Sequence, residues 1–230
     1  MEKEKAMSFS QEAWKRNRDL YQATLNLPFN QELSQGILDK DAFCHYVIQD
    51  AHYLVAYGRA LAVCGAKAYD ADGILQFTDA AHGAIVVERS LHEEFMQQFG
   101  ITSEQFEQTL LTAASHHYTS YLLAVAWSES YPVVLAALLP CFWIYAEVGK
   151  DIFEKSVPGN PYQAWVDTYA GEEFNNAVRR VIETIDKVAS GCDNYTLEKM
   201  HEAYTMSAKL EWLFWDSAYR QRQWAGLERF

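Results

Sequence analysis

Several common sequence signals are missing from this chain of 230 residues. No run of lysine or arginine offsets the formal net charge of −12, which disfavours nucleic acid and anionic membranes as partners because both recruit basic patches. The four cysteines form no CxxC pair, and the first ten residues, MEKEKAMSFS, contain no apolar segment typical of a secretory signal. Reduced thiols in a cytoplasmic protein are the expected state.

The short motifs of nucleotide binding and of serine hydrolases are absent as well. The chain has no GxGxxG, no Walker loop and no GxSxG, although a Ser-His-Asp triad without a motif is not excluded. Glu88 and His92 are four residues apart and could chelate a metal. A carboxylate-bridged di-iron site needs Glu-x-x-His on two helices and glutamates from two more, and the sequence offers no such set. A solvated helix face is the preferred interpretation of this pair.

Helical periodicity runs through nearly the whole sequence. Apolar side chains recur at steps of three and four in residues 43–61, and further helices are expected over about 74–99, 161–170, 172–190 and 195–222. Gly100 is expected to end one helix, and Thr102 with Gln105 offers a capping box for the next. No alternating strand pattern exceeds four residues. The expected fold class is therefore all-α, a single-domain helical bundle.

The most apolar segment, residues 131–148, is short for a membrane span and contains Pro140, which indicates a core helix. A proline inside a helix costs roughly 3 kcal/mol, because it removes a hydrogen bond and clashes with the preceding turn. Cys141 follows it directly. A lone cysteine is usually inert packing. Here a bend at Pro140 is expected to open the bundle, and Tyr145 lies one turn further on the same face.

Two carboxylates interrupt apolar helix faces. Asp50 lies within the stripe of residues 43–61, and Glu211 lies between apolar and aromatic residues. Neither has a cation one turn away, so both acids should resist ionisation if they are buried, and both are candidates for proton transfer. The alternatives are a long-range ion pair with an arginine such as Arg59 or Arg89, or a face that is exposed.

Tyrosines recur near these positions. Tyr53 follows Asp50 by three residues, and Tyr118 and Tyr169 lie in the segments HHYTSYL and WVDTY. Each alone is most often a core aromatic whose hydroxyl reaches a carbonyl or the surface. Together they could form the walls of a flat apolar pocket with a few polar contacts, which is typical of a small-molecule site.

Five segments give the chain a resemblance to a known family. They are YVIQDAHYL (46–54), YTSYL (118–122), LLPCFWIYAEVG (138–149), YQAWVDTY (162–169) and EWLFWDSAYR (211–220), in this order. The set resembles thiaminase II, also called TenA, which has a haem-oxygenase-like helical fold. The resemblance covers residues 9–224 as one domain, between a flexible lead of residues 1–8 and a tail of residues 225–230.

The resemblance implies roles for eight residues. Cys141 matches the catalytic nucleophile and places the chain in the cysteine-bearing branch, while Glu211 matches the general acid/base. Asp50 matches the acid that binds and orients the aminopyrimidine. The residues that match the substrate-binding lining of the pocket are Tyr53, Tyr118, Tyr145, Tyr169 and Phe214. His52 stands beside Asp50 where many relatives carry an aromatic or other residue, so the resemblance leaves the shape of the pocket open at that point.

The implied reaction is that of an aminopyrimidine aminohydrolase. It hydrolyses the C–N bond at the methylene of an aminomethyl-pyrimidine, and of thiamine in many members, to give hydroxymethylpyrimidine. The resemblance also implies a homotetramer that uses no metal or organic cofactor and binds only a small molecule, with neither nucleic acid nor membrane as a partner. Two other functions on this fold are weighed against it: a non-catalytic carrier of haem or a pyrimidine, and a metal-dependent oxygenase.

Overall fold

The computed structural model of the protein describes residues 7–222 and residue 224, apart from the side chains of residues 87, 88 and 90–92. This part of the chain forms eleven helices and contains no strand, as the all-α prediction requires. The helices are α1 (Phe9–Arg16), α2 (Arg18–Leu25), α3 (Pro28–Ser34), α4 (Lys40–Lys67), α5 (Ala71–Phe99), α6 (Ser103–Gln108), α7 (Ala113–Ser128), α8 (Tyr131–Lys155), α9 (Gln163–Ala170), α10 (Glu172–Ala189) and α11 (Asn194–Tyr219).

Local capping residues set most of the helix boundaries. Asp39, Asp70 and Asp193 accept hydrogen bonds from the first-turn N–H groups of α4, α5 and α11. The predicted capping box between Thr102 and Gln105 opens α6. Gly100 ends α5 in the left-handed conformation, with φ of 71°, as the sequence predicted.

Helix α8 is the centre of the bundle. Nearly every side chain from Tyr131 to Val148 is buried, because α8 packs against α9, α10 and α11 and contacts α3, α4 and α7. Its mean hydropathy of 1.7 over an 18-residue window would suit a membrane span, but 83% of that window lies inside the protein. The apolar run therefore forms a core helix, as predicted. Pro140 does not end α8, which continues through it to Lys155.

Helices α4 and α5 form a long antiparallel pair beside this centre. The predicted stripe of α4 is buried along its whole length, from Phe43 through Asp50 to Leu61. Gly58 lets α5 approach closely, since a Cβ at this position would lie 2.9 Å from the Cδ1 atom of Ile85. The pairing places the inward face of α4 opposite α8 and α11 and leaves a space between α5 and α10.

Candidate active site

A cavity of about 890 Å³ opens between α4, α5, α8, α9 and α10. Its volume is near the upper end of the range for small-molecule pockets, which runs from about 300 to 1,000 Å³. Five of the eight residues predicted for the site lie on its wall: Asp50, Tyr53, Cys141, Tyr145 and Tyr169. The other three, Tyr118, Glu211 and Phe214, are buried around Tyr53.

Cys141 lies in the middle of α8, one residue after Pro140. Its side chain keeps some accessible surface although protein atoms enclose it on most sides, as expected for a thiol on the wall of an internal cavity. Burial raises the pKa of this thiol well above its ordinary value, and the nearby carboxyls of Glu211 and Asp50 raise it further. Interactions with the hydroxyls of Tyr53 and Tyr57 lower the pKa and offset part of this effect.

Glu211 is a buried acid of α11, only 1% exposed. Its carboxyl accepts a hydrogen bond of 2.7 Å from the hydroxyl of Tyr118 on α7. Burial raises the pKa of Glu211 to about 8, with a further contribution from the charge of Asp50, whereas the bond from Tyr118 acts to lower it. Both the neutral and the ionised form of this carboxyl are therefore accessible near neutral pH, which suits a group that gives and takes protons.

Asp50 shares the site with Glu211 and Cys141. It is 2% exposed on α4, and its charge acts on both of these residues. The alternative interpretation was a long-range ion pair with an arginine such as Arg59 of α4 or Arg89 of α5. In the structure Arg59 is exposed and Arg89 lies 3.8 Å from Glu93 on the surface.

Glu211 makes no ion pair within the described part of the chain. Within this part, the neutral hydroxyl of Tyr118 donates the hydrogen bond that its carboxyl accepts. The site thus brings two acids and a thiol into a common electrostatic environment.

Aromatic side chains pack around the inner end of the cavity. The Trp165 indole donates to the Tyr46 hydroxyl at 3.1 Å, and the hydroxyls of Tyr46 and Tyr145 are 3.4 Å apart. The Tyr145 ring also packs 5.2 Å from Tyr169 and 4.6 Å from Trp215, measured between centroids. Tyr145 therefore lies on the cavity wall as expected, with its hydroxyl engaged by Tyr46.

Gly149 fixes the position of Tyr169. A Cβ at Gly149 would lie 2.8 Å from the Cβ and 2.9 Å from the carbonyl carbon of Tyr169. Only a residue without a side chain allows α8 and α9 to meet this closely. The glycine that closes the segment LLPCFWIYAEVG thus has a packing role, and it brings the Tyr169 ring to the cavity.

Tyr118 and Phe214 complete the aromatic surroundings of Tyr53. Their rings lie 4.9 Å and 5.6 Å from the Tyr53 ring. The Tyr53 hydroxyl is buried and makes no hydrogen bond of normal geometry within the described residues. The wall that faces Cys141 therefore contains a polar oxygen with unused hydrogen-bonding capacity.

Sequence reasoning did not assign Tyr57 to the site. This tyrosine lies one helical turn after Tyr53, lines the cavity and interacts with Cys141. Its position seven residues after Asp50, on the same face of α4, was the available signal. The resemblance marked Tyr53 on that face and left Tyr57 as a core residue.

The outer wall of the cavity is acidic, and this too escaped sequence reasoning. Besides Asp50, the wall carries six carboxylates and one guanidinium, most of them exposed at the mouth: Asp72, Asp79, Asp167, Glu172, Glu173, Glu183 and Arg180. We call these six acids the acidic rim. They come from α5 and from the consecutive helices α9 and α10, and α5 is distant in sequence from the other two, so the sequence alone does not show that these charges meet.

No group of three or more potential ligands that could hold a metal occurs among the described His, Cys, Asp and Glu side chains. The side chains of Glu88 and His92 lie outside the described residues, so their metal-binding interpretation is not tested. His52 does not line the main cavity. It stacks on Phe106 at 4.8 Å and belongs to a second cavity of about 520 Å³ between α4, α5 and α6.

Known proteins resemble the chain over nearly its full length. The sequence profile of the TENA/THI-4/PQQC family matches residues 14–221. An aminopyrimidine aminohydrolase of Halalkalibacterium halodurans is 33% identical over 222 residues, covering 95% of this chain and 98% of the relative. A TenA homologue from P. horikoshii OT3 superposes with a TM-score of 0.85 at 27% identity, covering 94% of this chain and all of the other.

A more distant structure shows the fold alone. A domain of unknown function with a heme oxygenase-like fold, from Shewanella denitrificans, gives a TM-score of 0.74 at 13% identity over 94% of both chains. The predicted fold class, a single-domain haem-oxygenase-like helical bundle, is thus confirmed. The resemblance to thiaminase II is confirmed as well, and the chain belongs to the TENA/THI-4/PQQC family.

Proposed function

We propose that the protein is an aminopyrimidine aminohydrolase of the thiaminase II type. Its substrate is an aminomethyl-pyrimidine, with thiamine as a second substrate, and its pyrimidine product is hydroxymethylpyrimidine. The observation that carries the proposal is that Cys141 of α8 and Asp50 of α4 line one aromatic-walled cavity, with the buried Glu211 of α11 close enough to act on both. The name and close similarity of the Halalkalibacterium relative support the same reaction.

The first chemical step is the addition of the Cys141 sulfur to the pyrimidine ring. A C–S bond forms at the ring carbon next to the one that bears the methylene, and the electron pair of the ring C=N bond moves to nitrogen. That nitrogen takes a proton from the neutral carboxyl of Glu211, and the thiol proton passes to the carboxylate in turn. Glu211 thereby relays one proton from sulfur to nitrogen, a role that its pKa of about 8 supports.

The second step releases the leaving group. Electron release from the exocyclic amine of the ring breaks the C–N bond at the methylene, and the electron pair leaves with nitrogen. An aminomethyl substrate, bound as its ammonium form, releases ammonia, which takes the proton of Glu211. The ionised Glu211 then accepts a proton from the water that attacks the methylene carbon. Expulsion of the sulfur returns the ring proton to Cys141 and restores the aromatic ring.

Asp50 is assigned to orientation. A carboxylate accepts hydrogen bonds and donates none, so it suits the exocyclic amine of an aminopyrimidine. Such a bond fixes the ring relative to Cys141 and favours electron release from the amine. The aromatic side chains Tyr53, Tyr145 and Tyr169 on the wall provide flat surfaces for the ring, and Tyr118 and Phe214 pack against Tyr53.

The acidic rim supports a cationic substrate. Thiamine carries a positive thiazolium, and a primary amine on a methylene is protonated in neutral water. Six carboxylates against one guanidinium at the mouth give a negative potential that concentrates cations. The volume of about 890 Å³ leaves room beyond a single pyrimidine ring, so a larger leaving group such as a thiazolium has space in the outer part.

We place this enzyme in the cytoplasm as a homotetramer, with residues 9–224 as its one domain, in line with the family resemblance. A haem carrier is less well supported, since no histidine among the described residues lines the main cavity. An oxygenase would need a metal site, and the described side chains offer no cluster of three ligands.

An amine-release assay tests the proposal. The purified protein is supplied with aminomethyl-pyrimidine, with thiamine, and with an analogue of the aminomethyl compound that lacks the exocyclic ring amine. We expect ammonia and hydroxymethylpyrimidine from the first and slower release of thiazole from the second. The analogue should react far more slowly. It cannot donate a hydrogen bond to Asp50, and it lacks the amine whose electron release expels the leaving group.

Failure to release ammonia or thiazole from either substrate would overturn the proposed function. A visible-absorbance titration with haem distinguishes the carrier alternative, and inhibition by a chelator would point to the oxygenase.

A further inference from the structure

The hydroxyl of Tyr57 occupies a distinctive place next to Cys141. Tyr57 is 3% exposed on α4 and lines the same cavity as the thiol. Its ring is held between Tyr53 at 5.6 Å and Phe142 at 5.7 Å. Its hydroxyl donates to the carbonyl oxygen of Leu138 at 3.1 Å. The side chain is therefore fixed by packing, while its one proton can still change acceptor by rotation about the C–O bond.

The acceptor on α8 can lose this bond at small cost. In a regular α-helix the Leu138 carbonyl accepts from the N–H of residue 142, so the bond from Tyr57 is a second one on the same oxygen. Pro140 has no N–H, but the carbonyl that loses its helical partner for this reason is that of residue 136, not of Leu138. Rotation of the Tyr57 hydroxyl away from Leu138 thus leaves no buried carbonyl without a partner.

The surroundings of Cys141 mostly oppose a thiolate. The titratable groups that act on it are Asp50, Tyr53 and Tyr57 from α4, Tyr118 from α7 and Glu211 from α11. The carboxyls and the burial disfavour negative charge on sulfur, and no described cation is among these groups. Hydroxyl protons are the remaining donors. Tyr118 already gives its proton to Glu211, so Tyr57 and Tyr53 are the two available to the sulfur.

We propose that Tyr57 is a positioning residue that stabilises the Cys141 thiolate by turning its hydroxyl proton from the Leu138 carbonyl to the sulfur. Tyr57 keeps its proton throughout, and the thiol proton goes to the carboxylate of Glu211. The inference rests on the proposed function for its catalytic consequence. The interaction between Tyr57 and the thiol can be measured without any substrate.

The test compares the alkylation of Cys141 by iodoacetamide in the wild type and in Tyr57→Phe. The peptide that contains Cys141 is followed by mass spectrometry, because Cys44, Cys64 and Cys192 are also free. Tyr57→Phe keeps the ring contacts and removes only the hydroxyl. At pH values below the thiol pKa, we expect alkylation about tenfold slower, which corresponds to a rise of about one unit in the pKa.

Tyr162→Phe is the matched control. The Tyr162 hydroxyl also donates to a buried backbone carbonyl, that of Leu38, but Tyr162 does not line the cavity that contains Cys141. Removing it should affect the melting temperature and leave alkylation of Cys141 unchanged.

Tyr57→Phe should also lower kcat about tenfold with little change in KM, because the hydroxyl acts on the sulfur and not on the bound substrate.

A second variant keeps the Tyr57 hydroxyl and tests whether a stronger donor speeds the alkylation of Cys141. Replacement of Tyr57 by 3,5-difluorotyrosine makes the hydroxyl a stronger donor, and we expect alkylation at a given pH to become faster. An alkylation rate that is the same in the wild type, Tyr57→Phe and the fluorinated protein would overturn the inference, whatever the activity assay gives. Faster alkylation of the fluorinated protein in an enzyme without amine release would instead support the inference and contradict the proposed function.

Discussion

Two cysteines inside this bundle, the fully buried Cys64 and the partly buried Cys141, differ in their surroundings. Cys64 lies on α4 with no exposed surface, and burial strongly raises the pKa of its thiol. Cys141 on α8 has a pKa raised by burial as well, but it faces a cavity and has two tyrosine hydroxyls and a titrating carboxyl as neighbours. Burial alone thus makes a thiol inert. Access, a hydroxyl donor and a proton relay are what separate a candidate nucleophile from a packed side chain.

The largest expected effect separates the two thiols directly. We predict that Cys141→Ser lowers kcat by roughly 10³-fold or more, since a nucleophile is removed, while the protein still binds hydroxymethylpyrimidine. Cys64→Ser should keep turnover near the wild-type level and lower stability by about 1–3 kcal/mol, because it buries a hydroxyl among apolar atoms. Ammonia release, product binding by calorimetry and urea denaturation measure the three quantities.

Variants of the same two cysteines can contradict the comparison. Near wild-type turnover in Cys141→Ala, which has no nucleophile at this position, would exclude covalent catalysis. Loss of turnover in a folded Cys64→Ser protein would show that Cys64 also contributes to catalysis and is not an inert core residue.

A second prediction removes the proton relay. Glu211→Gln should lower kcat by about 10²-fold while substrate binding persists, since the amide can still accept the bond from Tyr118 but cannot donate a proton as an acid. In the wild type, kcat/KM should fall as the pH rises through about 8, where the carboxyl ionises. The corresponding limb of the pH profile should be absent from the residual activity of the variant.

A third prediction is that Glu211→Gln, although it lowers activity, raises the stability of the folded protein near neutral pH. The folded pKa of Glu211, about 8, is higher than the ordinary value of 4.5, so the unfolded chain ionises first. The wild type should therefore be progressively destabilised as the pH rises from about 4.5 to 8. Glu211→Gln should abolish this loss and be more stable at pH 7 by about 1–3 kcal/mol. Urea titrations across this pH range measure it, and a variant that is less stable at every pH would contradict the assignment.

The smallest predicted effect concerns the mouth of the cavity. Asp79→Asn combined with Glu183→Gln removes two charges of the acidic rim from the middles of α5 and α10. We expect kcat/KM for a cationic substrate to fall by a few-fold at low salt, with the difference vanishing at high ionic strength. Glu104→Gln combined with Glu202→Gln removes two exposed charges elsewhere and should have no such effect. Equal changes in both double variants would exclude a specific role for the rim.

Much of the fold was predictable from the sequence, because the buried face of a helix requires apolar residues at steps of three and four. The face from Phe43 to Leu61 is buried as its spacing predicts, and the stop at Gly100 and the box of Thr102 with Gln105 are local signals that need no tertiary context. Helices α1, α2 and α3 were not predicted. Each has only seven or eight residues, too few turns for a clear repeat, and their packing against α8, α10 and α11 supplies the missing stability.

The site was predictable only in part, for a different reason. Asp50 and Glu211 were conspicuous because acids interrupt apolar stripes, and Cys141 because it follows a helical proline. Their meeting depends on helix packing, as does the bond between Tyr118 and Glu211, which are 93 residues apart. The acidic rim is also a product of tertiary structure, since α5, α9 and α10 each contribute only one to three of its charges.

The close approach at Gly149 has a consequence for the evolution and engineering of this scaffold. With a hydrogen atom as its side chain, this position determines how far the short helix α9 stands from the central helix, and hence how wide the chamber is at its aromatic end. A methyl group there would press on the Cβ and the backbone of Tyr169 and act as a spacer between the two helices, displacing the Tyr169 ring without contacting the substrate. Adjusting substrate size in this bundle therefore need not begin with the residues that meet the substrate.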